Sequence, residues 1–174
     1  MIQKIKSLFH SYFLKKELKF HQSNRNIINL NAAKEIGIIF YAKTPDDTNV
    51  INQFAAYLKE QKKKVNILAF YNSKKTALNF NFPYFNKKDI NWHFEPISPN
   101  VTDFIQKKFD ILINLVISDC PPLEYVSALS NAQFRVGMYE TNKIHSADMM
   151  IDLNGKNDIA YLVEQVKMYL QMIK

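Results

Sequence analysis

Polar side chains that could do chemistry stand directly after several apolar segments of the sequence. The apolar run 36–42 is followed by Lys-Thr-Pro-Asp-Asp, and the run 109–116 by a short Ser-Asp-Cys-Pro-Pro segment. Parallel strands end at one edge of a sheet, and ligands of doubly wound sheets bind at that edge. Carboxylates that converge there could bind Mg²⁺ or act as a general base. The candidate cleft consists of Lys43, Thr44, Asp46, Asp47, Ser118, Asp119 and Glu140.

Helix capping is the alternative role for most of these residues, and we favour it. Thr44, Asp46 and Asp47 stand just before one predicted helix, and Ser118 and Asp119 stand before another. Ser, Thr and Asp side chains at such positions accept hydrogen bonds from free backbone amides. We therefore assign no catalytic residue, and Asp47 is kept only as an alternative catalytic base.

The only cysteine, Cys120, precedes two prolines at a predicted helix start. A helix N-terminus lowers a thiol pKa and could make the sulfur nucleophilic. No Cys-His motif accompanies it, so we favour a small, semi-buried capping residue. One cysteine excludes an internal disulfide and is typical of a reducing compartment. We expect a cytoplasmic protein, with the membrane surface as the alternative location.

Glycine is scarce, and the three glycines stand alone in the sequence. The phosphate-binding loops G-x-x-x-x-G-K-[ST] and G-x-G-x-x-G therefore cannot be written here. The four histidines are widely spaced and form no metal-ligand pattern. We expect these histidines to be surface or structural residues, and we expect neither a cofactor nor a metal.

Strand-like and helix-like segments alternate along most of the chain. This order predicts right-handed crossovers and a mostly parallel sheet. The predicted fold class is α/β, with a single doubly wound Rossmann-like sheet and an added N-terminal amphipathic helix. The predicted strands are 36–42, 65–70, 90–94, 109–116, 135–139 and 149–153. The predicted helices end near residues 61, 108, 131 and 173.

The N-terminal arm carries most of the net positive charge. Residues 1–34 hold seven basic residues and one acid, Glu17, whereas the whole chain has a formal net charge of +7. We therefore divide the chain into a basic helix and connector, 1–34, and one α/β domain, 35–174. The basic side chains that we expect to bind a partner are Lys4, Lys6, Lys15, Lys16, Lys19 and Arg25.

Residues 2–13 have the spacing of an amphipathic helix. Ile2, Ile5, Leu8, Phe9, Tyr12 and Phe13 fall within one arc of about 140° at 100° per residue. This stripe has three interpretations: it packs on the body, lies on an anionic membrane, or accompanies lysines that bind RNA. We place RNA ahead of the membrane, because Arg25 and several lysines continue the charge beyond the helix.

An aromatic cluster lies around Pro83 and precedes two lysines. Aromatic residues at this density usually cover a sheet edge or a core rim, and we favour packing. An exposed cluster would instead be a surface for a protein partner. Its members are Phe80, Phe82, Tyr84 and Phe85.

One span of the sequence resembles the N-terminal half of heptosyltransferase-type glycosyltransferases. Segment 109–115, Phe-Asp-Ile-Leu-Ile-Asn-Leu, leads to segment 125–139, which ends Phe-Arg-Val-Gly-Met-Tyr. In that family, a strand ending Asp-Leu-Val-Ile-Asp-Leu leads to a helix and then to Gly-Ala-Lys-Arg-Arg-Val-Gly-Phe. The resemblance implies a Rossmann-like half-domain and places the family's catalytic aspartate at Asp47, although Asp46 stands where the family has glycine.

The chain also resembles a small, uncharacterised bacterial α/β family with a lysine-rich N-terminal helix. Our first hypothesis is a non-enzymatic binding module whose basic arm docks on an anionic partner, RNA or a ribonucleoprotein. The alternatives are a glycosyltransferase-like half-domain, as enzyme remnant or subunit, and a peripheral membrane-surface protein.

Overall fold

The computed structural model describes residues 2–75, 80–141, 143 and 145–174, with the backbone alone for residues 2–4. The helices are α1 (Ile2–Leu18), α2 (Pro45–Glu60), α3 (Pro99–Gln106), α4 (Pro121–Leu129) and α5 (Ile159–Met172). The strands are β1 (Glu35–Tyr41), β2 (Lys64–Tyr71), β3 (Tyr84–Asn86), β4 (Ile111–Leu115), β5 (Phe134–Met138) and β6 (Met149–Ile151).

The six strands form one sheet in the order β3-β2-β1-β4-β5-β6, and every pair of neighbours is parallel. At the centre of the sheet, Ile38 of β1 lies between Ile67 of β2 and Ile113 of β4. The interior of β1 is buried on both faces, as expected of a parallel strand covered by helices on both sides. The predicted α/β, doubly wound fold is confirmed.

Each face of the sheet has its own apolar core. On one face α2 and α5 pack through residues such as Ile51, Leu58 and Leu162. On the other face α3 and α4 cover Phe109 and its neighbours. Gly37 is required where that ring approaches β1, because a Cβ atom there would lie 2.9 Å from Phe109. The crossovers therefore cover both faces of the sheet with helices.

Helix α1 lies outside these layers and packs alongside α4. Leu14 is buried against Ala128 and Leu129, and His10 Nε2 lies 3.6 Å from Glu124 Oε2. The helix is longer than predicted, because the face that meets α4 is not the predicted stripe. Lysines that would have interrupted the predicted stripe therefore remain in solvent, and the helix continues to Leu18.

The predicted strand 90–94 is wrong, and β3 lies earlier in the chain. Asn91 Oδ1 accepts hydrogen bonds from the backbone amides of His93 and Glu95, which folds the segment into a turn. Phe94 has a left-handed φ of 67° in this turn. The third strand instead comes from the aromatic segment, where Phe85 is opposite Phe70 of β2.

The contact between α1 and α4 can be tested at Tyr125. Its hydroxyl donates to Glu17 Oε2 at 2.7 Å and lies 3.4 Å from Glu95 Oε1. A Tyr125→Phe substitution leaves these two carboxylates without their shared donor. We expect the free energy of unfolding, measured in urea, to fall by about 1–2 kcal/mol.

Tyr169→Phe on α5 is the matched control, because that side chain is 40% exposed. Its effect should stay within about 0.5 kcal/mol, as for most surface substitutions. Equal stability of the Tyr125→Phe variant and the wild type would show that the hydroxyl does not hold α1 in place.

Candidate functional site

A crevice opens at the carboxyl ends of the strands, where the strand order reverses between β1 and β4. This switch point is the usual ligand position of a doubly wound sheet. The switch-point crevice has a volume of about 540 Å³, within the range of small-molecule sites. Its lining includes Tyr41, Phe70, Asn72, Phe94, Asp119 and Cys120.

The first group of predicted cleft residues forms a helix cap. Thr44 Oγ1 accepts a hydrogen bond from the Asp47 amide at 3.2 Å, and Asp47 Oδ2 accepts one from the Thr44 amide at 2.9 Å. This reciprocal capping box begins α2, with Asp46 exposed in the first turn. Capping is thus confirmed for Thr44 and Asp47, and Asp47 does not line the switch-point crevice.

The second group of predicted residues is organised by a lysine that the sequence did not single out. Lys143 Nζ lies 2.7 Å from Asp119 Oδ1 and 2.8 Å from Glu140 Oε2. Burial acts to lower the pKa of Lys143, but these two carboxylates outweigh it and the pKa is raised.

Within the described part of the chain, no three His, Cys, Asp or Glu residues could hold a metal ion.

Ser118 and Asp119 do not cap α4, contrary to the prediction. The N-cap residue is Cys120, and no side chain closes the helix start. The Ser118 hydroxyl is buried without a hydrogen-bond partner among the described residues. The capping prediction failed because Pro121 and Pro122 occupy the first positions of α4 and carry no N–H to cap.

The two prolines also remove the amide donors that bind phosphate at a helix N-terminus. The next amides, of Leu123 and Glu124, both donate to Cys120 O. Helix α2 begins similarly, with Pro45 at its start and the Asp47 amide bonded to Thr44. Phosphate recognition at these positions depends on free backbone N–H groups. Neither helix start therefore offers a phosphate cradle.

Cys120 is a buried thiol. It is 3% exposed, and burial raises its pKa to about 12, with the charge of Asp119 adding to the shift and the Leu123 backbone and two lysines opposing it. The thiolate is the reactive form of cysteine. Desolvation thus outweighs the helix N-terminus, and Cys120 is not an activated nucleophile.

We expect Cys120 in the folded protein to resist alkylation by iodoacetamide at mildly alkaline pH. Because the thiol pKa falls toward its ordinary value when the chain unfolds, the same reagent should modify it rapidly in urea. Intact-mass spectrometry over time measures both rates. Equally fast modification of the folded and unfolded chains would contradict the burial of the thiol.

Most of the apolar stripe predicted on α1 points outward, but Phe13 stacks on His93, and the side chain of Ile2 lies outside the described residues. Leu8 is 71% exposed, Tyr12 64% and Ile5 47%, and Phe9 packs edge-on against the exposed Trp92 at 5.0 Å. We call these five residues the outer stripe. Four of them lie on the side of α1 opposite to His10 and Leu14, which are each 3% exposed. Trp92 belongs to the turn that follows β3.

The basic residues of the arm have different surroundings. Lys15, Lys16 and Lys19 are exposed at the carboxyl end of α1, whereas Lys6 is half-buried. The side chain of Lys4 lies outside the described residues. Arg25 is a correction, because its guanidinium donates to Ala132 O and Ser130 O and ties the connector to the end of α4. This contact could not be predicted from the sequence, because its partners are more than a hundred residues apart.

The aromatic cluster packs on the protein itself. Phe85 is fully buried, so it cannot bind a protein partner, contrary to that alternative. Phe80, Phe82 and Tyr84 are partly buried against the core. The ring of Phe82 lies 5.1 Å from that of Phe80 and 5.6 Å from that of Phe40. The prediction that this cluster packs is confirmed for Phe85.

These features define a doubly wound α/β protein with an extra N-terminal helix packed outside α4. Residues 6–173 match the model of a family described as "Family of unknown function (DUF6913)", and the chain belongs to that family. No curated protein matches the sequence. Within the described residues, no helix has both the length and the apolar character needed to cross a bilayer.

Proposed function

We propose that the protein is a non-enzymatic binding module that docks on an anionic membrane surface through α1. The outer stripe carries the proposal, because its large apolar side chains face away from the body. Lys16 follows on the same side of the helix, at 100° per residue, and Lys19 stands directly after the helix end. A helix lying in a membrane interface buries its apolar residues and places lysines against anionic headgroups.

The energetic terms are large enough for peripheral binding. Complete burial of one Leu or Phe side chain contributes about 1.5–3 kcal/mol, and each lysine near an anionic leaflet about 1 kcal/mol. Only part of the outer stripe is hidden by its own contacts, since Phe9 remains 42% exposed beside Trp92. Several such side chains and lysines together are sufficient for reversible docking.

RNA, our first expectation, is less well supported by this geometry. Phosphates are neutralised by Lys and Arg, and apolar residues add little to that term. Arg25 was part of the argument for RNA because it continues the charge beyond the helix, but its hydrogen bonds to Ala132 O and Ser130 O hold it against α4, away from the exposed face of α1. An RNA partner would also leave Leu8 and Ile5 in water. RNA binding is therefore an outcome of the test below.

The glycosyltransferase-like half-domain stays a prediction that the geometry favours less. Asp47 gives its carboxylate to the capping box of α2, whereas a catalytic base must face its substrate. The helix starts at the switch point are closed by Pro45, Pro121 and Pro122. Nucleotide phosphates would therefore lack their usual amide donors there.

Vesicle flotation tests the proposal with the full chain. We expect the protein to float with vesicles of phosphatidylcholine and phosphatidylserine, and much less with phosphatidylcholine alone. Leu8→Gln combined with Tyr12→Gln should weaken binding at least about tenfold, since about 1.4 kcal/mol corresponds to that factor. Both side chains are well exposed, so the fold should be unaffected, which circular dichroism checks.

Tyr169→Gln combined with Met172→Gln is the matched control, since these residues are exposed on α5. This control should float like the wild type. The same proteins are titrated with bulk cellular RNA at several salt concentrations. If the chain does not float but binds RNA in a salt-sensitive way, RNA replaces the membrane as the proposed partner. If both double variants lose flotation equally, the membrane proposal is also overturned.

A further inference from the structure

A pocket lined by basic residues lies beside the carboxyl end of α1, away from the outer stripe. It is a solvent-open pocket of about 540 Å³ between α1, the connector and the end of α4. None of its lining residues is acidic. We call it the basic pocket, and its titratable residues are Lys15, Lys19, His21, Arg25, Arg135 and His145.

We propose that the basic pocket binds a phosphomonoester group. If the phosphate belongs to a membrane lipid headgroup, the inference rests on the proposed docking of α1. Binding of a soluble phosphate compound does not depend on that docking. The two sources share the same recognition chemistry, and the experiment below separates them.

The positive charge of the pocket is only partly neutralised within the protein. Arg135 has a carboxylate partner, since its Nε and Nη2 lie 3.1 and 2.8 Å from the two oxygens of Asp148. The described contacts of the Arg25 guanidinium are with carbonyl oxygens alone. Asp148 also attracts Arg25, but its carboxylate is bonded to Arg135. A half-buried cation with only a shared counter-charge is costly, and a bound anion would relieve that cost.

The pKa values of the pocket residues agree with this charge excess. Burial, followed by the charge of Arg135, lowers the pKa of Arg25 to about 10, with Asp148 opposing the shift. A guanidinium carries five N–H donors, and two of the Arg25 donors are engaged by Ser130 O and Ala132 O. Arg25 can therefore remain tied to α4 and still donate to an anion.

His21 adds an unpaired polar atom to the pocket. Its Nε2 is buried and has no hydrogen-bond partner among the described residues. Burial lowers the pKa of His21, a backbone hydrogen bond with Ser130 opposes this, and the charges of Arg25 and Arg135 lower it further. Both ring nitrogens of a charged imidazole carry a proton, so the unpaired Nε2 is a donor when His21 is protonated.

Phosphate binding should therefore be coupled to protonation of His21. The other charged or titratable groups near His21, besides the two arginines, are Lys15, Lys19, His145, Asp148 and Glu17. Glu17 gives its carboxylate to Tyr125, and Asp148 gives its own to Arg135. An added dianion is thus the group able to offset the two arginines and raise the pKa of His21.

A phosphomonoester fits this set of donors better than a phosphodiester. It carries between about −1.5 and −2 charges at neutral pH and has three terminal oxygens. The pocket offers two flexible lysines, one arginine with free donors and an imidazole. A diester has one negative charge and two terminal oxygens, so it would leave more of the pocket charge uncompensated.

Calorimetry with inorganic phosphate and with glycerol phosphate tests the site in the full chain. We expect both to bind, and Lys15→Gln combined with Lys19→Gln to weaken binding at least tenfold. Both lysines are exposed, so the double variant should fold. The matched control is Lys59→Gln combined with Lys74→Gln, which removes the same charge from exposed positions outside the pocket and should change affinity less than twofold.

The proton coupling has its own measurement. As the pH falls from neutral, phosphate loses its second negative charge with a pKa of about 6, so its affinity should fall in His21→Gln. In the wild type the affinity should fall less, because protonation of His21 adds a positive charge to the pocket. NMR titration of the His21 ring should show a higher pKa with phosphate than without it. An unchanged pKa under saturating phosphate would overturn the assignment of His21.

Vesicles containing phosphatidic acid or phosphatidylglycerol distinguish the two phosphate sources. Stronger flotation with phosphatidic acid, lost in the Lys15 and Lys19 double variant, supports a headgroup. Equal flotation with both lipids, together with calorimetric phosphate binding, supports a soluble ligand. Flotation without any phosphate binding overturns the phosphate inference and leaves membrane docking intact. Phosphate binding without flotation overturns membrane docking and leaves the phosphate inference intact.

Discussion

The packing of α4 between the sheet and α1 is the contact on which the rest of the structure depends. Leu123 and Val126 of α4 are buried in the core beside the sheet, and its outer side receives Leu14 of α1. The carbonyl groups at its end accept hydrogen bonds from the Arg25 and Arg135 guanidiniums. Cations suit this negative end of a helix and satisfy its unpaired carbonyls. One short helix thus joins the core, the N-terminal helix and the connector.

This arrangement decides how α1 faces its surroundings. Phe13 stacks on His93 with ring centroids 4.4 Å apart, and Glu17 accepts the Tyr125 hydroxyl. Glu17 lies toward the side of α1 that carries Leu14, and Phe13 lies at the margin between that side and the outer stripe. These contacts leave Leu8 and Tyr12 in solvent. Exposed apolar residues beside lysines are typical of interfacial helices. The same contacts place Lys15 at the basic pocket, which links the two proposals to one helix orientation.

Much of the fold could be predicted because two-sided burial leaves a clear pattern in the sequence. Strands β1 and β4 appear as unbroken apolar runs, as parallel strands do. Strand β3 was missed because it has three residues and lies among aromatic residues without alternation. At the candidate site, the box of Thr44 and Asp47 follows from local sequence, since its partners are three residues apart. The contact of Lys143 with Asp119 spans 24 residues and has no local signature.

The sequence alone therefore specified the α/β class, the parallel sheet, the existence of an N-terminal helix and the absence of glycine-rich phosphate loops. These properties depend on periodicity and residue type, which are local. Tertiary structure decided which face of α1 is buried, because apolar side chains such as Leu14 and Leu8 occur on both sides of the helix. It also tied Arg25 to the end of α4. The buried face of α1 is determined by the shape of α4 and by its hydrogen-bond partners. These contacts join residues more than a hundred positions apart in the sequence.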